Sequence, residues 1–486
     1  MCGVLGIFDT EQVIGKAYNA MLTLQHRGQD SAGILTYDGR YHIKKGNGLI
    51  RDIFDEKNIA RLRGNVAIGH TRYPTVGEGS VEDAQPFWIN YPYGIAGAHN
   101  GNVSNFLDLK KRLFENSHKI INSNCDVEVI INIFAEYLEK WKNKPLSPEI
   151  VFNAVRYVYR FVKGSFSVVL YIADKGLVAF RDPFGLRPLV MGKRKAEKHT
   201  GYAFASESVA LDAMGFSDQS DIPAGTAVFI DNDYHFHSKK ISKKPFRPCI
   251  FEYIYFARPD STMNGINVYE SRIRLGAKLA KKIKESNLRD IDIVVPVPDS
   301  ARSAAIEIAR VLKLRYEEGL VKNRYIGRTF IMPGNLIRRQ SIRHKLNPIR
   351  HVFKGHNVLL VDDSIVRGNT SRSIIQMVRE AGARKVYFAS YSAPLTNPCV
   401  YGIDMQTKGE FIAVDADSSQ IAQKIGADAV IYQNIDDMEN AVRQRHKDIK
   451  SFCKACFTGE YPTGDVSREM LEMIACERSD SKKDNS

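Results

Sequence analysis

The sequence lacks the features of a membrane-spanning or secreted protein. No uninterrupted apolar run approaches the roughly 18 residues that cross a bilayer, and the opening MCGVLGIFDT carries no basic segment of a secretory signal. Only seven of its 486 residues are cysteines, which argues against a disulfide framework. We therefore expect a cytoplasmic protein with no membrane partner, whose cysteines serve metal binding or catalysis.

The composition is that of an ordinary globular protein. Hydrophobic residues make up 44% and charged residues 26%, and the chain is long enough for two or three domains with substantial cores. The net charge of +14 permits nucleic acid as a partner. A polyanionic small substrate would also favour basic residues, and a solvated lysine-rich surface explains most of the excess.

The most informative stretch is NVLLVDDSIVRGNTSR, residues 357–372. Val358–Val361 predict a strand buried on both faces, and Asp362 and Asp363 follow at its C-terminal end. Ligands of open α/β sheets bind beyond such strand ends, and the loop Ser364–Asn369 offers N–H groups and hydroxyls to a phosphate. The two acids can accept hydrogen bonds from ribose hydroxyls, directly or through a metal. The alternative is a strand end with solvated acids.

A helix and a second strand complete a βαβ unit after this loop. Thr370 or Ser371 is the expected N-cap of the helix, which is predicted to stop at Gly382. The second strand is predicted over Val386–Tyr391.

Residues 2–240 are predicted to form strands in hairpins with a few helices. This pattern favours two sheets covered by helices rather than a doubly wound sheet. Helices are predicted over Ile14–Gln25 and Val127–Leu138, and Asp38-Gly39 is a hairpin signal. The predicted strands are Val4–Phe8, Gly33–Tyr37, Tyr41–Lys45, Val66–His70, Ile95–His99, Ser165–Ala173, Leu177–Arg181, Tyr202–Ser206 and Ala227–Ile230.

Cys2 is a candidate nucleophile because of its position. A small residue after the initiator methionine favours removal of Met1, which would make Cys2 the mature N-terminus. Its α-amino group, with a pKa of about 7.7–8.0, can then act as the base for the adjacent thiol. The alternative is a buried structural cysteine.

Four motifs that accompany Cys2 are similar to those of the class II glutamine amidotransferases. They are CGVLGIF at the start, QHRGQDSAG at 25–33, GHTRYPT at 69–75 and His99-Asn100-Gly101. The resemblance implies a four-layer αββα N-terminal-nucleophile hydrolase domain with Cys2 attacking the glutamine side-chain carbonyl. The Asn100 side chain and the Gly101 N–H would form the oxyanion hole.

The same resemblance implies three glutamine-binding residues. Arg72 would take the α-carboxylate as a bidentate fork, and Asp126 would take the α-ammonium while also capping its helix. Arg27 lies in a matching motif, but contact with substrate and bracing of the site both remain open for it. Further matching runs, at 164–167, 181–189 and 205–208, are interpreted as fold-forming.

The basic, proline-containing segment 238–248 is interpreted as an interdomain crossing. The run CIFEYIYFARPDS that follows, at 249–261, closely resembles one family within the class, the glutamine phosphoribosylpyrophosphate amidotransferases. The resemblance extends to about residue 465 and implies a type I phosphoribosyltransferase α/β domain with a mainly parallel sheet. Phosphoribosyl pyrophosphate would be bound by Asp362, Asp363, Ser364, Arg367, Gly368 and Thr370.

A magnesium site is implied at the turn 296–303, which lies between a predicted strand, Ile291–Val295, and a helix at about Ala304–Leu314. Another helix, Glu270–Lys284, precedes them. By resemblance, Ser300 joins Asp362 and Asp363 around Mg²⁺, which takes oxygen ligands and phosphates. Whether Ser300 contacts the ion directly stays open.

Lys322–Arg350 is a basic stretch interleaved with aromatic residues. Alone, it is compatible with a nucleic-acid-binding arm. Its similarity to a flexible loop of the family favours a lid over a polyanionic substrate, which would exclude water during the reaction.

Cys453 and Cys456 form a C-x-x-C motif, a weak signal shared by zinc, redox and iron–sulfur sites. Cys249 and Cys399 match the other two ligand positions of the cluster-bearing branch of the family. Four thiolates suit a 4Fe–4S centre or a tetrahedral zinc equally well; the resemblance implies the structural iron–sulfur cluster. Cys125 and Cys476 are interpreted as ordinary thiols.

The resemblance therefore implies a bifunctional enzyme that makes 5-phosphoribosylamine at the first committed step of purine synthesis. Its domains would be 2–240 (glutaminase), 241–465 (phosphoribosyltransferase) and 466–486 (a helix and a disordered tail). The family further implies a homotetramer or dimer, inhibition by purine nucleotides and no nucleic-acid partner. The alternatives are an amino-sugar-forming class II amidotransferase, which would not need the acid pair, and a non-catalytic phosphoribosyl pyrophosphate sensor that binds nucleic acid, which would not need Cys2.

Overall fold

The computed structural model of the chain describes residues 1–73, 81–323, 345–405, 407–444, 446 and 448–473. Most of the predicted lid, the end of the GHTRYPT motif, Cys476 and the predicted disordered tail lie outside the described residues. Residues 468–473 are helical. No described helix is long and apolar enough to cross a membrane.

The first half of the chain forms two antiparallel sheets. The seven-stranded sheet has the order β11-β9-β10-β1-β4-β2-β3, and the six-stranded sheet has the order β13-β12-β8-β7-β6-β5. Their strands are β1 Gly3–Phe8, β2 Ser31–Tyr37, β3 Tyr41–Asn47, β4 Val66–Arg72, β5 Phe87–Ile89, β6 Ile95–Val103, β7 Gly164–Ile172, β8 Gly176–Arg181, β9 Val190–Lys195, β10 Thr200–Ala205, β11 Ser217–Asp221, β12 Thr226–Asp231 and β13 Phe236–Lys240.

Helices cover the outer faces of both sheets and give four αββα layers, as predicted. Helices α1 and α7 pack on the first sheet, and α5 and α6 pack on the second. The helices are α1 Ile14–Thr23, α2 Ile50–Ile53, α3 Glu56–Ile59, α4 Phe106–Ser117, α5 Asp126–Glu139, α6 Pro148–Phe161 and α7 Ser208–Ala213.

The alternation of side chains along β1 shows how the layers form. Val4 and Phe8 enter the cluster between the sheets, whereas Leu5 and Ile7 enter the cluster on the helix side, because successive strand residues point to opposite faces. A Cβ on Gly6 would lie 2.3 Å from Val169 Cγ1 of the facing sheet. The strand that follows Cys2 is therefore fixed from both sides.

The second half contains a five-stranded parallel sheet of order β17-β16-β20-β21-β22. The strands are β14 Thr262–Met263, β15 Ile266–Asn267, β16 Ile293–Pro296, β17 Arg315–Tyr316, β18 Leu320–Lys322, β19 Leu346–Pro348, β20 Asn357–Asp362, β21 Lys385–Ser390 and β22 Ala429–Tyr432. The helices are α8 Val268–Glu285, α9 Arg302–Leu312, α10 Arg350–Phe353, α11 Asn369–Glu380, α12 Ser418–Ile425, α13 Ile435–Arg443 and α14 Ala455–Thr458, and a short π-helix spans Glu252–Phe256.

The predicted strands and the helices predicted with them are confirmed to within a few residues, with exceptions at caps and edges. The N-cap of α11 is Gly368, with φ +77°, rather than Thr370 or Ser371. The helix ends at Glu380, two residues before the predicted Gly382.

Several elements have no counterpart in the prediction. Edge strands β11 and β13 carry polar, largely exposed side chains, so they lack the apolar alternation that marks a half-buried strand. Helices α4 and α6 were also missed.

Candidate functional site

Cys2 lies inside the protein at the start of β1. Its side chain is 9% exposed, and its backbone N–H donates to Asn100 Oδ1 at 3.2 Å. The Tyr73 N–H donates to Cys2 Sγ at 3.5 Å. The nucleophile candidate is thus held between β4 and β6, the strands that end at or run through the predicted glutamine-binding motifs.

Asn100 and Gly101 lie side by side on β6, as an oxyanion hole requires. Asn100 is fully buried, and its Nδ2 has no hydrogen-bond partner among the described residues. Gly101 has φ +154°, and a Cβ there would lie 2.0 Å from the Ser165 carbonyl oxygen. A buried amide donor without an acceptor is costly, so its place beside Cys2 indicates an acceptor that arrives with the substrate.

Arg72 and Asp126 supply opposite charges near this thiol. Arg72 is 5% exposed, with Nη2 3.5 Å from Asp83 Oδ2. Asp126 accepts the Val103 N–H at 2.9 Å and lies 3.2 Å from His99 Nε2. Burial acts to raise the pKa of Asp126, but His99 and the Val103 N–H hold it below its usual value. The pair matches the two charges of an α-amino acid.

One expected role of Asp126 is corrected. Cys125 occupies the N-cap position of α5, and Asp126 is the first residue of the helix. The Asp126 carboxylate bonds the Val103 N–H of β6 instead of capping its own helix.

Arg27 braces the backbone of Cys2 from the interior of the protein. The side chain is fully buried, and its Nε donates to the Cys2 carbonyl oxygen at 2.9 Å. Its Nη1 donates to Glu207 at 2.6 Å and its Nη2 to Glu252 at 2.9 Å. The guanidinium is thereby engaged on all three nitrogens, and of the two open roles the geometry supports bracing.

The paired acids lie at the C-terminal end of β20. Asp362 and Asp363 are 9% and 6% exposed, and burial raises the pKa of both carboxyls; the neighbouring acid raises that of Asp362 further. Ser300 Oγ and Ser364 Oγ each donate to Asp363 at 2.5 Å. Two adjacent buried carboxyls, of which Asp363 contacts two hydroxyls, fit oxygen-seeking Mg²⁺ or ribose hydroxyls.

The loop beyond the acids leads into α11, where the first N–H groups of a helix have no intrahelical partner. Gly368 is the N-cap, and Thr370 is exposed in the first turn. Arg367 is partly exposed and pairs with Glu410 at 2.8 Å. The predicted phosphate-binding residues therefore surround one helix N-terminus, an arrangement that attracts anions.

Comparison with known proteins finds a domain of each of the two expected kinds. The profile of a glutamine amidotransferase domain matches residues 70–213, and that of a phosphoribosyl transferase domain matches residues 266–394. The chain is 47% identical to the amidophosphoribosyltransferase of Pasteurella multocida over 488 residues, which cover 99% of this chain and 97% of the relative. The Escherichia coli enzyme of that name gives the same identity and coverage.

The chain belongs to the amidophosphoribosyltransferase family. The assignment confirms the predicted activity class: it is an enzyme, a glutamine-dependent pentosyl transferase of the first step of purine biosynthesis. A solved structure of a Bacillus subtilis glutamine phosphoribosylpyrophosphate amidotransferase in complex with ADP and GMP superposes with a TM-score of 0.84 at 37% identity. The match covers 96% of this chain and 98% of that one. The predicted fold class is thereby confirmed, and the amino-sugar alternative is contradicted by the phosphoribosyl transferase match.

Membership of the amidophosphoribosyltransferase family does not identify any metal that this chain binds. The candidate ligands are four cysteine side chains. The sulfurs concerned belong to Cys249, Cys399, Cys453 and Cys456, all buried and free of disulfides. The backbones of Cys249 and Cys453 form an isolated parallel β-bridge. Burial raises the pKa of the Cys249 thiol to about 11, and burial, then Cys399 and Cys249, raise the pKa of Cys456.

The sulfur atoms of these four thiols are less tightly clustered than those around a bound zinc. Among the described residues, which include all four, no three cysteine sulfurs lie within 4.8 Å of one another. A tetrahedral zinc with Zn–S bonds of about 2.3 Å would bring its sulfurs to about 3.8 Å. Four buried thiols are a donor set of metal–sulfur sites in general.

The segment that follows Cys399 contacts β6, the strand of Asn100 and Gly101, and also the neighbouring strand β7. Asn102 Nδ2 donates to the Val400 carbonyl at 3.0 Å, and Ser165 Oγ donates to the Tyr401 carbonyl at 2.8 Å. A Cβ on Gly402 would lie 2.9 Å from the Gly101 oxygen. The cysteine group and the predicted oxyanion hole are therefore separated by one short segment.

Sequence reasoning missed Glu207 and Glu252 as members of the site. Both are buried acids that bind Arg27. The signal for Glu252 was present, because an acid inside the aromatic run CIFEYIYF needs a buried cationic partner. Glu207 stands in a run that was interpreted as fold-forming.

Proposed function

We propose that the chain hydrolyses glutamine at Cys2 and transfers the ammonia to 5-phosphoribosyl 1-pyrophosphate. The products are 5-phosphoribosylamine, glutamate and pyrophosphate. One observation carries the proposal: a buried terminal thiol beside an unpaired amide donor and a buried acid pair beside a helix N-terminus occur in one folded chain. Arg27 connects Cys2 to the second half of the chain, because it bonds both the Cys2 carbonyl oxygen and Glu252.

Cys2 acts as nucleophile after Met1 is removed. The freed α-amine accepts the thiol proton, and the sulfur attacks the glutamine carbonyl carbon. The ammonium so formed gives the proton to the departing nitrogen, which leaves as ammonia and yields a thioester; water then hydrolyses the thioester to glutamate and the free thiol. Asn100 Nδ2 and the Gly101 N–H stabilise the oxyanion. Arg72 and Asp126 bind the α-carboxylate and the α-ammonium, while Arg27 fixes the Cys2 carbonyl.

Asp362 and Asp363 bind the ribose of phosphoribosyl pyrophosphate. Ser364, Arg367, Gly368 and Thr370 bind its 5-phosphate at the start of α11. Ser300, Asp362 and Asp363 would hold Mg²⁺, which neutralises the departing pyrophosphate. Ammonia passes internally between the centres, because free ammonia in water is mostly protonated and does not attack C1 of the ribose.

Cys249, Cys399, Cys453 and Cys456 would hold a 4Fe–4S cluster with a structural role. When bound, such a cluster would cross-link the segments that carry these four cysteines at the junction. Its thiols come from three separate segments, and the Thr396 and Asn397 N–H groups donate to the Cys456 carbonyl at 3.1 Å. These contacts tie the C-terminal segment to the junction.

The remaining proposals concern surroundings and partners. All six described cysteines are free, which supports a reducing, cytoplasmic location. The ADP and GMP bound by the Bacillus subtilis protein support purine nucleotides as inhibitors. A homo-oligomer, tetramer or dimer, is proposed from the family, with neither nucleic acid nor membrane as partner. The domain limits of 2–240, 241–465 and 466–486 are proposed with it.

Anaerobic purification followed by two assays tests the proposal. With glutamine, Mg²⁺ and phosphoribosyl pyrophosphate, we expect equal amounts of glutamate and pyrophosphate. We also expect about four iron and four sulfide ions per chain. Glutamate without pyrophosphate would contradict the transferase assignment, and one zinc per chain would contradict the cluster.

A further inference from the structure

The first residue of the π-helix Glu252–Phe256 contacts Arg27, the side chain that holds the backbone of Cys2. Glu252 Oε1 accepts from Arg27 Nη2 at 2.9 Å, and Arg27 Nε donates to the Cys2 carbonyl. Glu252 and Arg27 are both buried, and a buried ion pair resists separation because each charge would be left uncompensated. A shift of this helix is therefore transmitted to Cys2.

Side chains from the second half hold the carbonyl groups of the same helix. Arg272 donates to the Tyr253 and Tyr255 carbonyl oxygens, both at 3.1 Å. Tyr391 Oη donates to the Ile254 carbonyl oxygen at 2.9 Å. π-Helical turns are rare and occur mostly at functional sites, and here the neighbouring side chains fix the turn.

Tyr391 also contacts the phosphoribosyl pyrophosphate centre. It follows β21 directly, and its N–H donates to the Asp362 carbonyl oxygen at 3.2 Å. Its Oη lies 3.2 Å from the Ser300 carbonyl oxygen, and Ser300 Oγ donates to Asp363. The side chain is fully buried, so solvent does not replace these contacts.

The Tyr391 hydroxyl has one hydrogen and two carbonyl acceptors. One acceptor belongs to the π-helix on the Cys2 side, and the other belongs to the turn that carries Ser300. A single O–H makes one well-aligned bond at a time. A displacement of the Ser300 turn relative to the π-helix would therefore change the share of this hydrogen bond that the Ile254 carbonyl receives.

We propose that Tyr391 is a positioning residue that couples glutamine hydrolysis to the state of the phosphoribosyl pyrophosphate site. The inference rests on the proposed function. Through Tyr391, the Ser300 turn, the π-helix and the Arg27 brace adopt matched positions, so that ammonia is released when its acceptor is bound. The packing and burial of the Tyr391 ring do not need its hydroxyl group, whereas the proposed coupling does.

The substitution Tyr391→Phe removes the hydroxyl and keeps the ring. We expect the ratio of glutamate to pyrophosphate to rise at least about fivefold, the lower end of usual coupling factors. We also expect the KM for phosphoribosyl pyrophosphate with ammonium as nitrogen donor to rise by a similar factor, with little change in kcat. A loss of folded enzyme alone would lower both products together and leave their ratio unchanged.

Tyr253→Phe is the matched control. Tyr253 lies in the same π-helix and is fully buried, but its hydroxyl donates to the Met263 carbonyl oxygen at 3.1 Å, away from the acid pair. We expect its ratio to equal that of the unaltered enzyme. An unchanged ratio in Tyr391→Phe, or an equal rise in both variants, would overturn the inference. An unaltered enzyme without glutamine-dependent pyrophosphate release would instead overturn the proposed function.

Discussion

The six cysteines that the structure describes differ by environment rather than by chemistry. Burial raises the pKa of the Cys125, Cys453 and Cys456 thiols, so these stay protonated unless a metal binds them. Among these six, Cys2 is the one whose backbone N–H donates to Asn100 Oδ1, and the Asn100 Nδ2 beside it has no hydrogen-bond partner among the described residues. The reactivity of Cys2 then depends on the α-amine that acts as its base.

The pH dependence of glutamine hydrolysis reports on that amine. Burial, helped by Arg187 and Arg27, lowers the pKa of the Met1 α-amine to about 4. The Cys2 nitrogen, 3.2 Å from Asn100 Oδ1, lies next to it in the chain. After Met1 is removed, we therefore expect the new amine to titrate below the value of about 7.7–8.0 for an exposed α-amine.

The base must be unprotonated, so kcat/KM for glutamine rises as pH increases through this pKa. We expect the midpoint of the rise to lie below the pKa of an exposed α-amine. A pH profile of glutamate formation by the processed enzyme measures it. A midpoint at or above that pKa would contradict the assignment of the amine as a buried base.

At the element scale, the start of α11 depends on a glycine. Gly368 has φ +77°, a left-handed conformation that costs other residues about 1–2 kcal/mol. A Cβ there would also lie 2.4 Å from Ile412 Cδ1. The proposed phosphate site is at this helix start, so a shift of the start displaces the N–H groups.

The substitution Gly368→Ala tests this position, with Gly355→Ala as its matched control. Gly355 has φ +75°, but among the described residues no heavy atom beyond its chain neighbours lies within 4 Å of an added Cβ. Both variants should lose about 1–2 kcal/mol of unfolding free energy from the backbone. Only Gly368→Ala should also raise the KM for phosphoribosyl pyrophosphate, by about tenfold. Equal KM values in the two variants, measured on samples that urea denaturation shows to be folded, would contradict the role of this helix start.

Elements with strong local patterns were predictable from the sequence, and those defined by packing were not. Val358–Val361 of β20 are continuously apolar and are followed by two acids, so both the strand and its candidate site at the C-terminal end were found. The edge strands β11 and β13 and the Gly368 cap carry no such pattern.

The residues of the candidate site also divide into those that a local sequence motif predicts and those that only packing brings together. Cys2, Asn100 and Asp363 belong to short motifs that carry their own chemistry. Glu207 and Tyr391 act through residues distant in sequence, and a single chain gives no local signal for such contacts.

At the scale of the whole molecule, the two halves form one packed unit. A hydrophobic cluster continues from α1 through the π-helix to α8 and α9. Arg187 is fully buried at the junction; its Nε donates to the Tyr401 carbonyl at 2.8 Å, and its Nη1 lies 3.8 Å from Glu252. Separating the halves would leave these charges without partners, which is consistent with a fixed relation between two reaction centres.

The substitution Cys2→Ala tests the division of labour between those centres most directly. With glutamine, pyrophosphate release should fall by at least about 10³-fold, because the nucleophile is lost. With ammonium salts at high pH, where more ammonia is unprotonated, release should stay within about threefold of the unaltered enzyme, because Asp362, Asp363 and α11 are intact. Loss of both activities in a variant whose circular dichroism is unchanged would contradict the account.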